Sequence, residues 1–313
     1  MRVSVIIPSH NPDPERLRRT LQGLRDQSLP SESWEVLLVD NASARFPAAD
    51  TLAGSGLPNL RKICEPVLGL TAARRAGLRA ACGDAAVFVD DDNVLARDYL
   101  AETIQLFSAL PRVGVLGGKS LPEFAVEPPD WVREFFPLLA LRDLGPEPLV
   151  APSLCAPGAS RAEYPPCSPI GAGMAVRRSA WSAWLDARVS GAGLSDRCGA
   201  ALNSSGDNDI VLCALRAGWG VAYSPRLSLT HLIPPGRLEP NYLARLNRGI
   251  QHSWMQVLTL HGINPWPPLT RSGAALRRAK AWFTHRAWRS PAARIRWQGA
   301  CGHFEGRVPD RSG

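Results

Sequence analysis

Short apolar segments alternate with amphipathic helical segments over residues 1–117, and this alternation constrains the fold more than any other feature. A helix is predicted from Pro14, with Asp13 as its cap, and further helices at 71–82 and 96–110. Apolar runs predict strands at residues 3–7, 35–39, 60–64, 86–89 and 113–117. The pattern is typical of an α/β fold, with a mainly parallel sheet covered by helices on both faces. The Pro-rich residues 121–170 are predicted to form a long irregular insertion.

The composition fits a folded protein with a substantial core. Of the 313 residues, 45% are hydrophobic and 20% are charged. The seven cysteines contain no CxxC pair, which favours reduced thiols in the cytoplasm. The apolar run before Pro8 is too short for a signal peptide, and no stretch approaches the ~18 apolar residues of a membrane-spanning helix. We therefore expect a cytoplasmic protein.

Positive charge is concentrated at the end of the sequence. Residues 271–313 contain ten Lys or Arg against Glu305 and Asp310, which gives this segment a net charge of +8. The whole chain also carries +8, so residues 1–270 are neutral. This difference predicts a catalytic domain over 1–270, followed by a helical basic C-terminal extension.

The basic extension has an imperfect amphipathic helical pattern. The apolar face consists of Leu276, Ala279, Phe283 and Ala287, with Trp282 and Trp288 at its sides. The opposite face carries Arg277, Arg278 and Arg289, whereas Lys280 interrupts the apolar face. The segment suits either an anionic membrane surface, on the inner face of the plasma membrane, or a helix packed on the body. In the first case a chain ending after Pro268 should stay active. No nucleic-acid-binding module is recognisable.

Polar residues follow three of the predicted strands. They are Pro8, Ser9, His10 and Asn11 after the first strand, Asp40 after the second, and Asp90, Asp91 and Asp92 after the fourth. Ligands of open α/β sheets bind beyond the carboxyl ends of the strands, so these residues predict one shared site. Because adjacent carboxylates repel one another, the acidic triplet indicates that something cationic binds there.

Two glycine-containing segments resemble nucleotide-binding motifs but have the wrong spacing. GVLGGKS, at 114–120, is one residue short of the phosphate-binding P-loop pattern. Gly171-Ala172-Gly173 lacks the third glycine of a dinucleotide fingerprint and does not follow the first strand. The sequence therefore supports neither an NTPase nor an NAD-dependent enzyme.

Six segments carry a family resemblance by their order and spacing. They are VSVIIPSHN, LLVDNAS, GLTAARRAGLRAACGDAAVFVDDDN, GAGMAVRR, SGDNDIVLCALRAGW and LTH. Together they resemble family 2 glycosyltransferases of the GT-A fold, which are bacterial inverting enzymes that use nucleotide sugars. The resemblance covers residues 1 to about 260. It implies a GT-A domain over 1–270, with a nucleotide-binding half at 1–120 and a donor and acceptor half at 121–270.

The resemblance also implies roles for individual residues. The nucleotide pocket would contain Pro8, Ser9, His10, Asn11, Asp40, Arg74, Asp90 and Asp91, with Asp40 accepting a hydrogen bond from the base. Arg75 stands where the family usually has Asn, next to Arg74. Asp92 would bind Mg²⁺ or Mn²⁺, and His231 would be a further ligand of the same ion. A hard cation takes carboxylate oxygens and stabilises a departing diphosphate.

The segment SGDNDI would supply the catalytic base. The resemblance assigns this role to Asp207, and Gly206 stands where the family usually has Glu. Residues two apart on a helix point about 200° apart, so Asp207 and Asp209 cannot face the same acceptor hydroxyl. The donor and acceptor pockets would involve Gly171, Ala172, Gly173, Met174 and Asp209, together with Leu194 to Gly199.

These implications predict a metal-dependent inverting glycosyltransferase. It would move a sugar from a nucleotide diphosphate donor, such as a UDP-sugar, to a hydroxyl of a surface polysaccharide or glycolipid. One alternative is a sugar-phosphate nucleotidyltransferase, which should have a glycine-rich phosphate loop where this chain has PSHNPD. The other is a nucleotide-sugar-binding or membrane-associated scaffold without catalysis, against which the intact Asp90, Asp92 and Asp207 count.

Overall fold

The computed structural model describes residues 1–48, 52, 54–155, 162–187 and 205–309. Its strands are β1 (Val3–Ser9), β2 (Trp34–Asn41), β3 (Leu60–Glu65), β4 (Ala85–Phe88), β5 (Asn93–Leu95), β6 (Val113–Phe124), β7 (Leu149–Ala151), β8 (Ala175–Arg177) and β9 (Gly220–Ile233). Its α-helices are α1 (Pro14–Arg25), α2 (Leu70–Ala80), α3 (Tyr99–Ala109), α4 (Arg178–Ala187), α5 (Gly206–Arg216), α6 (Pro240–Leu260), α7 (Arg271–Thr284) and α8 (Pro291–Glu305). Short 3₁₀ segments lie at Ser31–Ser33, Asp130–Leu139 and Pro235–Leu238.

The strands form one mixed sheet. Its order is β3-β2-β1-β4-β8-β6-β9-β5, and β7 pairs with β9. The first four strands are parallel, with Val3 of β1 opposite both Trp34 and Ala85. The pairs β4–β8, β8–β6, β9–β5 and β9–β7 are antiparallel. The expected parallel sheet is thus confined to one half, because the three-residue strand β8 enters beside β4 in the opposite direction.

Helices cover both faces of the sheet, as the sequence predicted. Successive side chains of a strand point to opposite faces, and β1 shows the consequence. Ile7 belongs to an apolar cluster that contains Leu21 of α1 and Phe107 of α3. Ile6 belongs to a second cluster, with Trp181 of α4 and residues of α2 and α5. The α/β architecture is confirmed.

Local sequence signals placed the first three helices correctly, but the predicted insertion is more ordered than expected. Asp13 caps α1 by accepting a hydrogen bond from the Arg16 N–H at 3.0 Å. Residues 121–170, however, contain the end of β6, a 3₁₀ segment and β7. The strand continues there because the backbone of Ser120 pairs with that of Arg142 in both directions.

The chain divides into two compact units. The sheet unit comprises Met1–Glu123, Ala140–Ala192 and Asp207–Ile233. The helical unit comprises Phe124–Leu139, Gly193–Gly206 and Pro234–Gly313. Every individual residue that the sequence assigned to the site belongs to the sheet unit. The functional boundaries near residues 120 and 270 stay predictions.

Within the helical unit, α8 packs closely along α6. A Cβ atom on Gly302 would lie 2.0 Å from the carbonyl oxygen of Arg248, so only glycine allows this approach of the two backbones. The Arg248 guanidinium donates to Glu305 with Nε–Oε2 at 2.8 Å, and Asn247 Nδ2 donates to the Ile295 carbonyl at 3.0 Å. Removing the extension would therefore take away the contacts that α8 makes with α6.

Within the described ranges, no helix is both long enough and apolar enough to cross a membrane.

Candidate functional site

The parallel half of the sheet brings the predicted polar residues to one edge. In the register of β1 and β2, Ser9 lies opposite Asp40, and both stand at the carboxyl ends of their strands. Strand β4 runs parallel to β1 on its other side and leads directly into Asp90. The three strand ends are therefore neighbours, as the sequence predicted from their polar residues.

The turn after β1 is tied to the segment after β2. The His10 Nδ1 atom lies 2.7 Å from the carbonyl oxygen of Asn41. The Asn11 N–H donates to Ser43 Oγ at 2.9 Å, and Asn11 Oδ1 accepts from the Arg45 N–H at 3.0 Å. Asn11 has a φ of 49°, a left-handed conformation that asparagine tolerates better than most residues. These bonds fix a turn that leaves His10 and Asn11 exposed at the strand edge.

Asp40 is held by a partner that sequence reasoning missed. Its Oδ2 lies 2.9 Å from Lys62 Nζ, and its Oδ1 accepts from the Ser43 N–H at 3.2 Å. Burial by itself raises the pKa of Asp40, but the hydrogen bonds from Lys62 and Ser43 outweigh it and the pKa is lowered. The Lys62 ammonium in turn lies 4.3 Å from the centre of the Phe46 ring. Asp40 is therefore an ionised acceptor at neutral pH.

The first two carboxylates of the acidic triplet face different partners. Asp91 Oδ2 accepts from Ser9 Oγ at 2.5 Å, which links the turn after β4 to the end of β1. Asp90 Oδ1 lies 3.9 Å from Nη2 of Arg74, a buried side chain of α2 whose guanidinium stands over the Phe88 ring. The repulsion between adjacent carboxylates is thus relieved by separate hydrogen-bonding and cationic partners.

Asp92 and His231 form a buried pair at the base of the site. Strands β5 and β9 are antiparallel, with Asn93 opposite His231, and this register brings the imidazole beside the carboxylate. Asp92 Oδ1 lies 3.4 Å from His231 Nε2, and each residue is only 2% exposed. A carboxylate oxygen and an imidazole nitrogen together suit Mn²⁺, and carboxylates also suit Mg²⁺. The donor set fits the metal that the sequence implied.

The two acids of α5 face different surroundings. Asp207 Oδ2 accepts from the Gly171 N–H at 2.8 Å, and its Oδ1 accepts from the Asn208 N–H at 2.9 Å. Asp209 is buried, and its Oδ2 accepts from Trp184 Nε1 at 2.7 Å. This separation agrees with the helical geometry on which the sequence argument depended. The bond from Trp184 ties Asp209 to α4, and the predicted role of Asp209 in a donor or acceptor pocket stays a prediction.

Gly171 brings Arg74 and Asp207 together. A Cβ atom at Gly171 would lie 2.5 Å from Arg74 Nη2 and 3.3 Å from Asp207 Oδ2. Any side chain here would push against the guanidinium or the carboxylate. The glycine therefore lets a cation from α2 and an acid from α5 approach the same turn.

The rest of the predicted pocket segment packs into the core, and its predicted role in the pockets stays a prediction. Gly173 has a φ of 74°, and its carbonyl accepts from the Tyr99 hydroxyl at 2.6 Å. Met174 is fully buried, and Ala172 packs in the core beside β1. Leu194 to Gly199, which the sequence also assigned to the pockets, lies outside the described residues.

Tyr164 is a further neighbour that sequence reasoning did not find. Its hydroxyl donates to Asn208 Oδ1 at 2.8 Å, next to Asp207 in the chain. Burial raises the pKa of Tyr164, and the charge of Asp207 adds to this effect. The residue lies in the segment that was predicted to be irregular, and a single tyrosine there carries no signal in the sequence.

Comparison with known proteins identifies related folds. The model of the family described as "Glycosyl transferase family 2" matches residues 4–146. The crystal structure of S. aureus TarS 1-349 is similar with a TM-score of 0.53 and 15% identity, covering 98% of this chain and 90% of that one. The same protein in complex with UDP-GlcNAc gives a TM-score of 0.54 at 14% identity, with coverages of 98% and 90%.

One curated protein is also similar over part of the chain. It is the uncharacterized protein y4gI of Sinorhizobium fredii, 26% identical over 117 residues. The match covers 36% of this chain but only 13% of that relative.

Proposed function

We propose that this chain is a metal-dependent, inverting nucleotide-sugar glycosyltransferase, because residues 4–146 match the model of glycosyl transferase family 2 and the chain has the GT-A fold of TarS. The donor that we propose is a UDP-sugar, since TarS, which has the same fold, has been crystallised with UDP-GlcNAc. The acceptor that we propose is a hydroxyl of a surface polysaccharide or glycolipid.

The position of Asp207 is the observation that best supports this proposal. Its carboxylate is oriented by the Gly171 N–H, remains partly exposed, and lies near the buried cation of Arg74. In the proposed reaction Asp207 takes the proton of the acceptor hydroxyl while the hydroxyl oxygen attacks C1 of the donor sugar. The bond between C1 and the diphosphate oxygen breaks on the opposite face, and its electron pair leaves with the diphosphate. Attack from the opposite face inverts the configuration at C1.

The chain's remaining site residues would bind and orient the donor. Asp40 would accept a hydrogen bond from the nucleobase, beside the turn of Pro8, Ser9, His10 and Asn11. Arg74 would face the diphosphate, because its buried guanidinium favours an anionic ligand and needs one for full charge compensation. Asp90 and Asp91 would limit the freedom of the loop between β4 and β5 through their contacts with Arg74 and Ser9.

Asp92 and His231 would hold the divalent cation. When bound, Mn²⁺ or Mg²⁺ supplies positive charge that stabilises the departing diphosphate. The contribution of the chain is to hold one oxygen ligand in the turn before β5 and one nitrogen ligand on β9, both on buried side chains.

Substitution of the two acids of α5 tests the proposal. Asp207→Asn keeps the size of the side chain but removes the base, so the rate of transfer should fall by roughly two to four orders of magnitude. Affinity for the UDP-sugar should stay near that of the wild type, because the base acts on the acceptor.

Asp209→Asn is the matched control. Its amide oxygen can still accept from Trp184, so the variant should remain folded and turn over at nearly the wild-type rate. Transfer rate and donor affinity are measured for both variants in the presence of Mn²⁺. An inactive Asp209→Asn beside an active Asp207→Asn would refute the assignment of the base.

A further inference from the structure

Three large apolar side chains project from α7 and the turn that follows it. Leu276, Phe283 and Trp288 are 73%, 68% and 56% exposed, and we call them the apolar patch. Leu276 and Phe283 are seven residues apart and share one helix face. The ring centroids of Phe283 and Trp288 lie 6.0 Å apart. The sequence had placed Ala287 on this face, but Ala287 is buried.

The apolar patch is mounted on a rigid aromatic base. Behind it, the Trp282 ring lies 6.3 Å from that of Trp288 and 4.7 Å, edge to face, from that of Trp297 on α8. Trp297 Nε1 also donates to the carbonyl of Arg278 at 3.1 Å. The side chains of the patch therefore project from a fixed surface, so little freedom remains to be lost when a partner binds.

Exposed cations accompany the apolar patch. Arg277 and Arg289 directly follow Leu276 and Trp288 in the chain, so they flank the patch instead of lying on the opposite face that the helical pattern had assigned to them. Together with the exposed Lys280 and Arg286 they form the cationic rim. None of these four forms an ion pair with a carboxylate in the described part of the chain. The nearby acid Glu305 is already paired with Arg248 and Arg278, with N–O distances of 2.5 and 3.0 Å. The surroundings of the patch are therefore positive.

We propose that the apolar patch docks onto an anionic lipid surface. Leu276, Phe283 and Trp288 enter the boundary between headgroups and acyl chains, and the rim cations contact the lipid phosphates. Protruding aliphatic and aromatic side chains do not match the polar backbone of a nucleic acid. A second copy of the chain would bring two cationic rims together, which is unfavourable. The inference deepens the proposed function, because it places the enzyme where a lipid-linked acceptor would be found.

Vesicle binding of the full chain tests the inference. Sedimentation is compared for phosphatidylcholine vesicles with and without phosphatidylglycerol. Replacing the three patch residues together by alanine should lower partitioning onto the anionic vesicles by roughly tenfold or more. Replacing Arg277, Lys280 and Arg289 by glutamine should weaken binding by roughly fivefold for each charge, and added salt should reduce wild-type binding.

The matched control replaces three exposed apolar residues elsewhere by alanine, at Val126, Leu144 and Val150. This variant should bind anionic vesicles as the wild type does. All variants should keep the wild-type thermal transition by circular dichroism, since the substituted side chains are exposed.

Several results would overturn the proposal. One is that the patch variant binds anionic vesicles as well as the wild type does. Another is that the wild type binds pure phosphatidylcholine vesicles as well as it binds anionic ones. A third is that wild type and patch variant bind soluble polyphosphate equally well and neither binds vesicles. A dimer that disappears in the patch variant would show that the patch is a contact between copies instead. Hydrolysis of the UDP-sugar without vesicles reports the transferase chemistry separately, so either proposal can fail alone.

Discussion

The sheet unit and the helical unit differ in how deeply their charged side chains are buried and in how they are paired. In the sheet unit Glu35, Asp92 and Asp209 are each 3% exposed or less, and every one of them faces a named partner. In the helical unit three basic residues of α7, Arg271, Arg277 and Lys280, are exposed and have no acidic partner in the described chain, whereas Arg278 pairs with Glu305. A buried charge is costly unless it is paired, whereas an exposed charge costs little. A buried acid of the sheet unit should therefore be hard to replace by a side chain that cannot keep its hydrogen bonds, and an exposed, unpaired cation of the helical unit should be easy to replace.

The largest effect on stability is expected at Gly302, a position of the helical unit that does not tolerate substitution. Gly302→Leu places a side chain against the Arg248 carbonyl of α6, which cannot move aside as a flexible side chain could. We expect a loss of about 3 kcal/mol in the free energy of unfolding of this unit. Thermal and urea unfolding measure the change. The control is Ala300→Leu on the same helix, at a partly exposed position, which should cost far less.

Equal stabilities of the two variants would contradict close packing of α6 and α8. In that case the extension would be the separable tail that the charge distribution first indicated.

The second prediction concerns the buried acid of the site. Asp92→Asn removes the negative charge of the proposed metal ligand, so Mn²⁺-dependent affinity for a UDP-sugar should fall by roughly 10- to 100-fold. Isothermal titration with and without Mn²⁺ measures the affinity. The exposed Asp98→Asn, whose side chain makes no capping bond, is the control and should bind as the wild type does. Full activity in excess chelator would remove the metal from the proposal.

The smallest predicted effects separate the two units by pH. In the helical unit, burial lowers the pKa of His303 below its usual 6.5, and the charge of Arg307 adds to this. The unfolded chain then binds more protons than the folded one, so stability present at neutral pH is lost as the pH falls below about 6.5. His303→Gln should flatten the dependence of urea unfolding on pH in this window, by less than about 1 kcal/mol.

In the sheet unit, the titration of Glu35 affects stability at a lower pH than the titration of His303 does in the helical unit. Burial alone raises the pKa of Glu35, but hydrogen bonds from Arg61, Ser4 and the Cys82 N–H outweigh it and the pKa is lowered. The stabilisation is complete above the usual value of 4.5 and is lost as the pH falls through the lowered pKa. Glu35→Gln should flatten the pH dependence only there. If His303→Gln and Glu35→Gln change the pH dependence of unfolding in the same pH range, the predicted difference between the two units is wrong.

Local patterns in the sequence predicted what depends on neighbours along the chain. The strands that form from apolar runs, the cap at Asp13 and the acids at the strand ends all lie where the sequence placed them. Partners that are distant in sequence were missed. Lys62 reaches Asp40 from the neighbouring strand β3, and Trp184 reaches Asp209 from another helix. Neither contact leaves a periodic trace, so only the tertiary structure shows it.

The basic extension shows the same limit. Its charge predicted an exposed segment. The sequence shows that residue 302 is a glycine, but it does not show that α8 approaches the backbone of α6 at this residue. An amphipathic pattern indicates which face is apolar, but it does not identify the neighbour that covers that face. The packing partner of α8 therefore could not be read from periodicity.

The position of β8 between β4 and β6 affects how the sheet can form while the chain is being translated. This strand pairs with both β4 and β6, yet it is translated long after β4. At ordinary ribosomal rates the residues from Phe88 to Ala175 take roughly 5 to 20 seconds to appear. During this interval the backbone N–H and C=O groups on the β8 side of β4 have no strand to pair with. A strand of a neighbouring nascent chain could pair with them instead. Crowded translation therefore competes directly with the completion of this sheet.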